Sequence, residues 1–341
     1  MLVFCLEERV LKMDKSNVEI IFNWLDETTN TIQQHENEPY LDSLSMALET
    51  LFFGETSPEM DDLLTHKLEE NLKSIHIDTY NREQIRKAIQ LAILKGMKDS
   101  TQQHHLMTPE TVALLVKYLV EKLTANKETF RMFDPVCGTG NLLLTVVGTL
   151  EKQVEAFASE IDGSLLHLAL ASANLQKIDV EFFQQDSLRP FLLDPVDVVV
   201  ADLPVGYYPD DIRATEFELK ADEGHSYAHH LLIEQSMNYT QNGGYLVLIV
   251  PDTLFESDQA DKLHAFIHNH AHIVGLLQLP ETIFKSKQHA KSILILQKKG
   301  VNTNAPKQPL LVKLPSLKNT VAMEDILRQM NNWFSHNQLN S

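Results

Sequence analysis

Residues 129–141, Thr129-Phe130-Arg131-Met132-Phe133-Asp134-Pro135-Val136-Cys137-Gly138-Thr139-Gly140-Asn141, decide the fold. Residues 129–134 read as a short strand, and 141–152 as a helix. Between them two glycines flank a small residue. A turn of that composition lets backbone approach a ligand closely and aims the N–H groups of the helix start at it. The turn lacks the G-x-G-x-x-G dinucleotide fingerprint, because Leu143 stands where the third glycine belongs, and it has no Gly-Lys-Ser/Thr. NAD and ATP are therefore disfavoured.

Downstream of this turn strands and helices go on alternating, without an internal sequence repeat. Strands are expected at 154–160, 180–184, 196–201, 245–251, 273–279 and 292–297, with helices at 164–176, 228–239 and 258–269. Upstream, Thr108-Pro109-Glu110 opens a helix with a cap residue, a proline at the first helical position and an early acid. Short β-branched runs alternating with amphipathic helices predict a doubly wound, Rossmann-like α/β sheet covered on both faces. Residues 1–97 differ. Val18, Ile21, Phe22 and Leu25, then Leu41, Leu44, Leu48, Leu51 and Phe52, then Ile85, Ala88, Ile89, Ala92 and Ile93 fall at helical spacing, with no convincing strand. The expected organisation is a helical N-terminal domain at 1–97, a polar connection at 98–105, an α/β domain at 104–299, and an extension at 300–341 with one short helix at 323–334.

Ligands in such sheets lie beyond the carboxyl ends of the strands. After Asp134 the next two strand tips offer Glu160 and Asp186, each 26 residues after the last. An acid at the second tip suits ribose hydroxyls, and one at the third can accept from an adenine amino group. The fourth tip is Asp202-Leu203-Pro204-Val205-Gly206-Tyr207-Tyr208-Pro209, where a carboxylate, carbonyls and aromatics gather.

Together these residues resemble the N6-adenine-specific DNA methyltransferase family, especially type I restriction modification subunits and short YtxK-like stand-alone members. The likeness covers roughly 104–299. Asp134–Gly140 matches the family's Asp-Pro-x-Cys-Gly-Thr-Gly motif. His105-Leu106-Met107-Thr108-Pro109 is similar to the segment whose threonine meets the cofactor carboxylate. Gly243-Gly244-Tyr245 through Pro251, and Leu279-Pro280 through Phe284, resemble two later blocks. The resemblance implies a seven-stranded class I sheet binding S-adenosylmethionine (SAM). It implies cofactor contacts from Thr108, Asp134, Pro135, Cys137, Gly138, Thr139, Gly140, Asn141, Glu160, Ile161, Asp186, Ser187 and Asp202.

The family's catalytic tetrad is Asn/Asp-Pro-Pro-Tyr/Phe, whereas this chain reads Asp202-Leu203-Pro204-Val205. Asp202 and the Leu203 carbonyl retain the two acceptors for a target NH₂, with Pro204 beside them. Val205 offers no π face for a flipped base, which leaves Tyr207 as the replacement aromatic, with Tyr208 as the alternative. The implied activity is methyl transfer from SAM to an amino group of a nucleic-acid base, DNA rather than RNA. The roughly 40 residues after Lys299 are too few for a target-recognition domain, so little intrinsic sequence preference, or a protein partner that reads the target, is expected. Two other readings stay open: a protein-glutamine methyltransferase, and a SAM-binding module without catalysis.

A net charge of −18 opposes nucleic-acid binding, since phosphate contacts dominate such affinity. Its distribution softens the objection, because 271–341 carries three acids and nine bases. With 43% apolar residues the composition excludes disordered and fibrous classes. Two scattered cysteines, Cys5 and Cys137, exclude a disulfide framework. No run approaches the ~18 apolar residues of a membrane span, and Glu7, Glu8 and Arg9 cut short the apolar opening, so no leader and a cytoplasmic location are expected. No metal is expected: His225 and His229 lack a third ligand, and His230, His264, His268, His270 and His272 form no ligand spacing. Cys137 has no neighbouring base to make it a nucleophile. Trp24, Phe52, Phe53 and the methionines are expected in the core.

Overall fold

The computed structural model describes residues 2–99, 107–284, 286 and 289–337, without the side chains of 2–14 and 99. The polar connection read at 98–105 lies almost wholly outside the described residues. Four helices come first: α1 (Leu2–Glu36), α2 (Tyr40–Phe53), α3 (Asp62–Leu72) and α4 (Arg82–Asp99). The α/β part follows as α5 (Glu110–Leu123), β1 (Thr129–Asp134), α6 (Asn141–Thr149), β2 (Gln153–Glu160), α7 (Gly163–Gln176), β3 (Val180–Gln184) and β4 (Val196–Asp202). Then come α8 (Asp211–Ala214), α9 (Ala228–Asn238), β5 (Thr240–Pro251), α10 (Ala260–His270), β6 (Ala271–Gln278), β7 (Lys291–Lys298), β8 (Leu310–Lys313) and α11 (Thr320–His336).

The strands form one sheet in the order β3-β2-β1-β4-β5-β7-β6-β8. Every pairing is parallel except those of β7, which runs antiparallel to both β5 and β6. The order reverses between β1 and β4, and there the carboxyl ends open a crevice, as doubly wound sheets do at a switch point. Register aligns the rim: Asp134 pairs with Ala158, Glu160 with Gln184, and Asp202 with Ile249. Because β7 runs the other way, its first residue, Lys291, reaches that same rim beside Pro251.

Strand residues alternate between two cores. Met132, Val198, Val200, Val247, Ile249, Ile293 and Ile295 face one side, with α5 and α6. Phe133, Val199, Ala201, Leu246, Leu248, Leu294 and Leu296 face the other, with α9 and α10. Burial on both faces explains the nearly unbroken apolar run of β4. The structure adds one strand to the seven expected. Leu310–Lys313, with one residue buried and two exposed, alternates too briefly to be read as a strand, yet it pairs parallel with β6.

The four N-terminal helices build a third core. Ile21, Leu25, Leu44, Leu48, Ile85 and Ile89 pack there together with Leu168, Ala171 and Leu175 of α7. Arg82 ties the two parts further: its Nε donates to the Gln176 carbonyl at 2.8 Å and its guanidinium reaches the Gly148 carbonyl at 3.4 Å. A cation at two helix C-terminal ends satisfies orphan carbonyls and complements both dipoles. Trp24 is buried as expected, donating from Nε1 to the Asn71 carbonyl. Phe52 and Phe53 are not. They are 42% and 65% exposed. The buried stripe of α2 runs through Leu44, Leu48 and Leu51, and the next two positions rotate off it before Gly54 closes the helix. Among the described residues no helix is long and apolar enough to cross a membrane.

Candidate functional site

Sequence dictates the glycine turn locally. Gly138 and Gly140 adopt φ of 54° and 77°, the left-handed region that side chains disfavour. A Cβ at Gly138 would meet nothing within 4 Å, so this residue borders open space. One at Gly140 would come within 3.1 Å of Ala169 and Leu144, so glycine there lets α6 start close against α7. The Cys137 N–H donates to the Ser159 carbonyl, fastening the turn to β2.

Glu160 is organised by that turn. Its Oε2 accepts from the Gly138 N–H at 2.9 Å, and its Oε1 accepts from the N–H groups of Ile161 and Asp162, each at 2.9 Å. Ile161 joins this arrangement through its backbone N–H, and its side chain is 66% exposed. Ser187 is buried, its hydroxyl donating to the Pro135 carbonyl, and so it braces the first tip against the third. Asn141 and Thr139 are buried with the turn. Asp134 is fully enclosed, and burial, reinforced by Glu160 and Asp202, pushes its carboxyl up to about 8 despite a bond from the Val136 N–H. Burial likewise pushes the Cys137 thiol well up, which suits a space-filling role.

Asp202 sits at the centre of a buried chain of hydrogen bonds. Thr108 Oγ1 donates to Asp202 Oδ2 at 2.8 Å. Asn141 donates to the Thr108 carbonyl at 2.5 Å, and Gln90 of α4 donates to Asn141. The helical layer thus reaches the fourth strand tip through three side chains. The remaining oxygen, Oδ1, accepts from Lys291 Nζ at 2.5 Å, and the same ammonium donates to the Leu203 carbonyl at 3.2 Å. Two acceptors therefore converge on one nitrogen. Sequence reasoning missed Lys291 because it searched only the carboxyl ends of parallel strands; a lysine opening a strand after the fifth was the available signal.

The aromatics divide their roles. Tyr208 is buried, and its hydroxyl donates to Asp186 Oδ2 at 2.5 Å, while Asp186 Oδ1 accepts from the Leu188 N–H. Tyr207 is 58% exposed and stacks on Tyr227, with centroids 4.8 Å apart and planes 17° apart. Val205 and Pro204 are exposed beside this pair.

Beneath Tyr227 lie His229 and His230, 5.1 and 5.3 Å from its ring. Both are buried, and neither ring nitrogen of His230 has a hydrogen-bond partner. Burial holds His229 down at about 3, with His230 and Lys291 adding to the effect, and His230 at about 4. A depressed histidine favours the fold fully above its unfolded value near 6.5, and that contribution is lost as pH falls toward the folded value. Acid should therefore destabilise the protein between about pH 6.5 and 4. His230→Leu should flatten that part of the curve and leave neutral-pH melting unchanged or higher, since it removes an unsatisfied buried polar group. Thermal melts across pH check both. The other histidines scatter: His225 pairs with Asp211, His270 with Glu218, and His272 with Thr303. Among the described residues the one group at metal-ligand spacing is His35, Glu36 and Asp61, in the helical layer, where both acids are exposed.

Strand order, the antiparallel β7, the glycine turn and the acids at successive tips define a class I SAM-dependent methyltransferase. The chain belongs to the N-6 DNA methylase family, whose match runs over residues 95–335, and residues 19–97 match the YtxK N-terminal helical domain. It is 48% identical over 326 residues to uncharacterized protein YtxK of Bacillus subtilis, covering 94% of this chain and 99% of that one. A Listeria monocytogenes protein taken to be a class I SAM-dependent methyltransferase superposes with a TM-score of 0.88 at 43% identity, covering 94% and 99% of the two chains. A modification subunit ascribed to a type I restriction enzyme of Vibrio vulnificus shares the fold, with a TM-score of 0.64 at 16% identity, covering 85% and 66%.

SAM is the cofactor of this class, and the residues present fit it. Asp134 is an acid raised first by burial and further by the Glu160 and Asp202 carboxylates, a setting that a cationic ligand relieves. Gly138 leaves the approach open.

Proposed function

We propose that the chain methylates the exocyclic amino group of a nucleic-acid base, of the adenine-N6 type and on DNA rather than RNA. It has little sequence preference of its own, or takes its target from a protein partner. The observation that carries this reading is the pair of acceptors, Asp202 Oδ1 and the Leu203 carbonyl, both within hydrogen-bond distance of one nitrogen. When bound, SAM supplies an electrophilic methyl group. Residues Asp134 to Asn141, Glu160, Ile161, Asp186 and Ser187 form or brace its seat. Thr108 fixes Asp202 so that Oδ1 faces the acceptor. Asp202 and Leu203 then take both N–H bonds of the amine, which directs its lone pair outward, so catalysis rests on positioning and electrostatics. The methylated nitrogen, briefly cationic, sheds its surplus proton to solvent water at the exposed mouth of the crevice, so no residue needs to act as a base. Pro204 stiffens the loop, and Tyr207, backed by Tyr227, offers the stacking face that Val205 lacks.

One observation favours a second reading, methylation of a protein glutamine side-chain amide. Residues 203–227 carry six acids and two bases, a loop better matched to a basic protein than to phosphate. Tritiated SAM offered with DNA, RNA and cell protein separates the two: label in DNA supports the first, label in protein alone supports the second, and SAM binding with no label anywhere overturns both. In this reading Asp134 is protonated at neutral pH until a cationic ligand arrives. Binding then releases a proton, so SAM affinity should rise as pH increases toward 8, by up to about tenfold per unit. Calorimetry should show that rise, and Asp134→Asn should abolish the slope.

A further inference from the structure

Lys291 is reached through strand direction. Because β7 is antiparallel, its first residue lies among the carboxyl ends of the parallel strands, opposite Pro251. Its ammonium bridges Asp202 Oδ1 at 2.5 Å and the Leu203 carbonyl at 3.2 Å. Its side chain is 23% exposed and that of Asp202 is 19% exposed, so solvent screens the pair only partly. Thr108 occupies the other Asp202 oxygen. The surroundings are acidic, with Asp134 under the combined influence of Glu160 and Asp202.

We propose that Lys291 is a placeholder for the methyl acceptor's amine and a specificity-determining residue of the site. This inference rests on the reading that Asp202 and Leu203 seat that amine. The ammonium uses two of its three donors on the same two acceptors that a target NH₂ needs. An acceptor binds by taking both bonds from it. An amine with two free N–H groups matches what it displaces, whereas a group with one N–H leaves one acceptor to the lysine. The ammonium also counters the crevice carboxylates, so it competes with any cation that enters. A sulfonium cofactor suffers this competition and its neutral thioether product, S-adenosylhomocysteine, does not.

The test is binding. Calorimetry of SAM and of S-adenosylhomocysteine is run on the full chain and on Lys291→Met. Removing the ammonium should shift the SAM-to-thioether affinity ratio toward SAM by about tenfold, the scale of a unit-charge interaction in a partly screened site. An unchanged ratio overturns the placeholder role while leaving the cofactor assignment intact. No heat from either ligand with folded wild-type protein overturns the cofactor assignment on which methyl transfer at the Asp202–Leu203 seat depends. Should Lys291→Met not fold, the wild-type protein decides. Acetylation of Lys291 by an N-hydroxysuccinimide ester, read by mass spectrometry, should run several-fold faster with saturating SAM than with the saturating thioether. Equal rates overturn the proposal.

Discussion

Asp202→Ala is expected to lower methyl transfer by at least about 10²–10³-fold in turnover, the loss that follows removal of one preorganised electrostatic partner of a reacting group. SAM affinity should stay within about tenfold, because Glu160 and the glycine turn are untouched. The substitution removes the acceptor of one N–H, frees the Thr108 hydroxyl and strips Lys291 of its counter-charge. Asp202→Asn keeps a carbonyl oxygen in the same place and should recover much of the activity, since asparagine fills this position in the family's tetrad. The measurement is single-turnover transfer from radiolabelled SAM to whichever acceptor the tritium survey identifies. Alanine at 202 with wild-type turnover would remove Asp202 from the mechanism.

The second large effect concerns the cofactor. Glu160→Ala should weaken SAM binding by about 10²-fold or more, at about 1.5–3 kcal/mol for each charge-assisted hydrogen bond lost. The damage has two sources. The carboxylate is the proposed acceptor for the ribose hydroxyls. It also accepts from three backbone N–H groups, those of Gly138, Ile161 and Asp162, and so holds the glycine turn against the end of β2. Glu160→Gln retains one acceptor oxygen and should fall between. Calorimetric titration at fixed pH gives both values, and a Glu160→Ala protein that binds SAM like the wild type would reassign the second tip.

Much of this was legible in the sequence, for physical reasons. The sheet could be read because parallel strands buried on both faces leave β-branched runs, and the turn after β1 because its φ values demand glycine at 138 and 140. The acids at 160 and 186 were visible as chain positions following strands. What could not be read depends on side-chain direction or on strand polarity. Tyr207 and Tyr208 are adjacent in sequence, yet one turns outward to stack and the other inward to Asp186. Ser187, by resemblance a cofactor contact, turns its hydroxyl to the Pro135 carbonyl. Thr108, by resemblance a cofactor contact, donates to Asp202. Phe52 and Phe53 look like core until the helix phase is fixed by Leu44, Leu48 and Leu51. Lys291 needed knowledge that β7 enters the sheet backwards.

One helix belongs to two interiors at once. Leu168 and Leu175 of α7 point into the N-terminal helices, while Ala169 and Ala173 of the same helix pack with the sheet side. A solvent-exposed seam of the kind that lets neighbouring modules be exchanged by recombination therefore does not run between them. Severing the helical layer would lay Leu168, Ala171 and Leu175 bare to water, so an α/β part made alone should be sticky and poorly soluble.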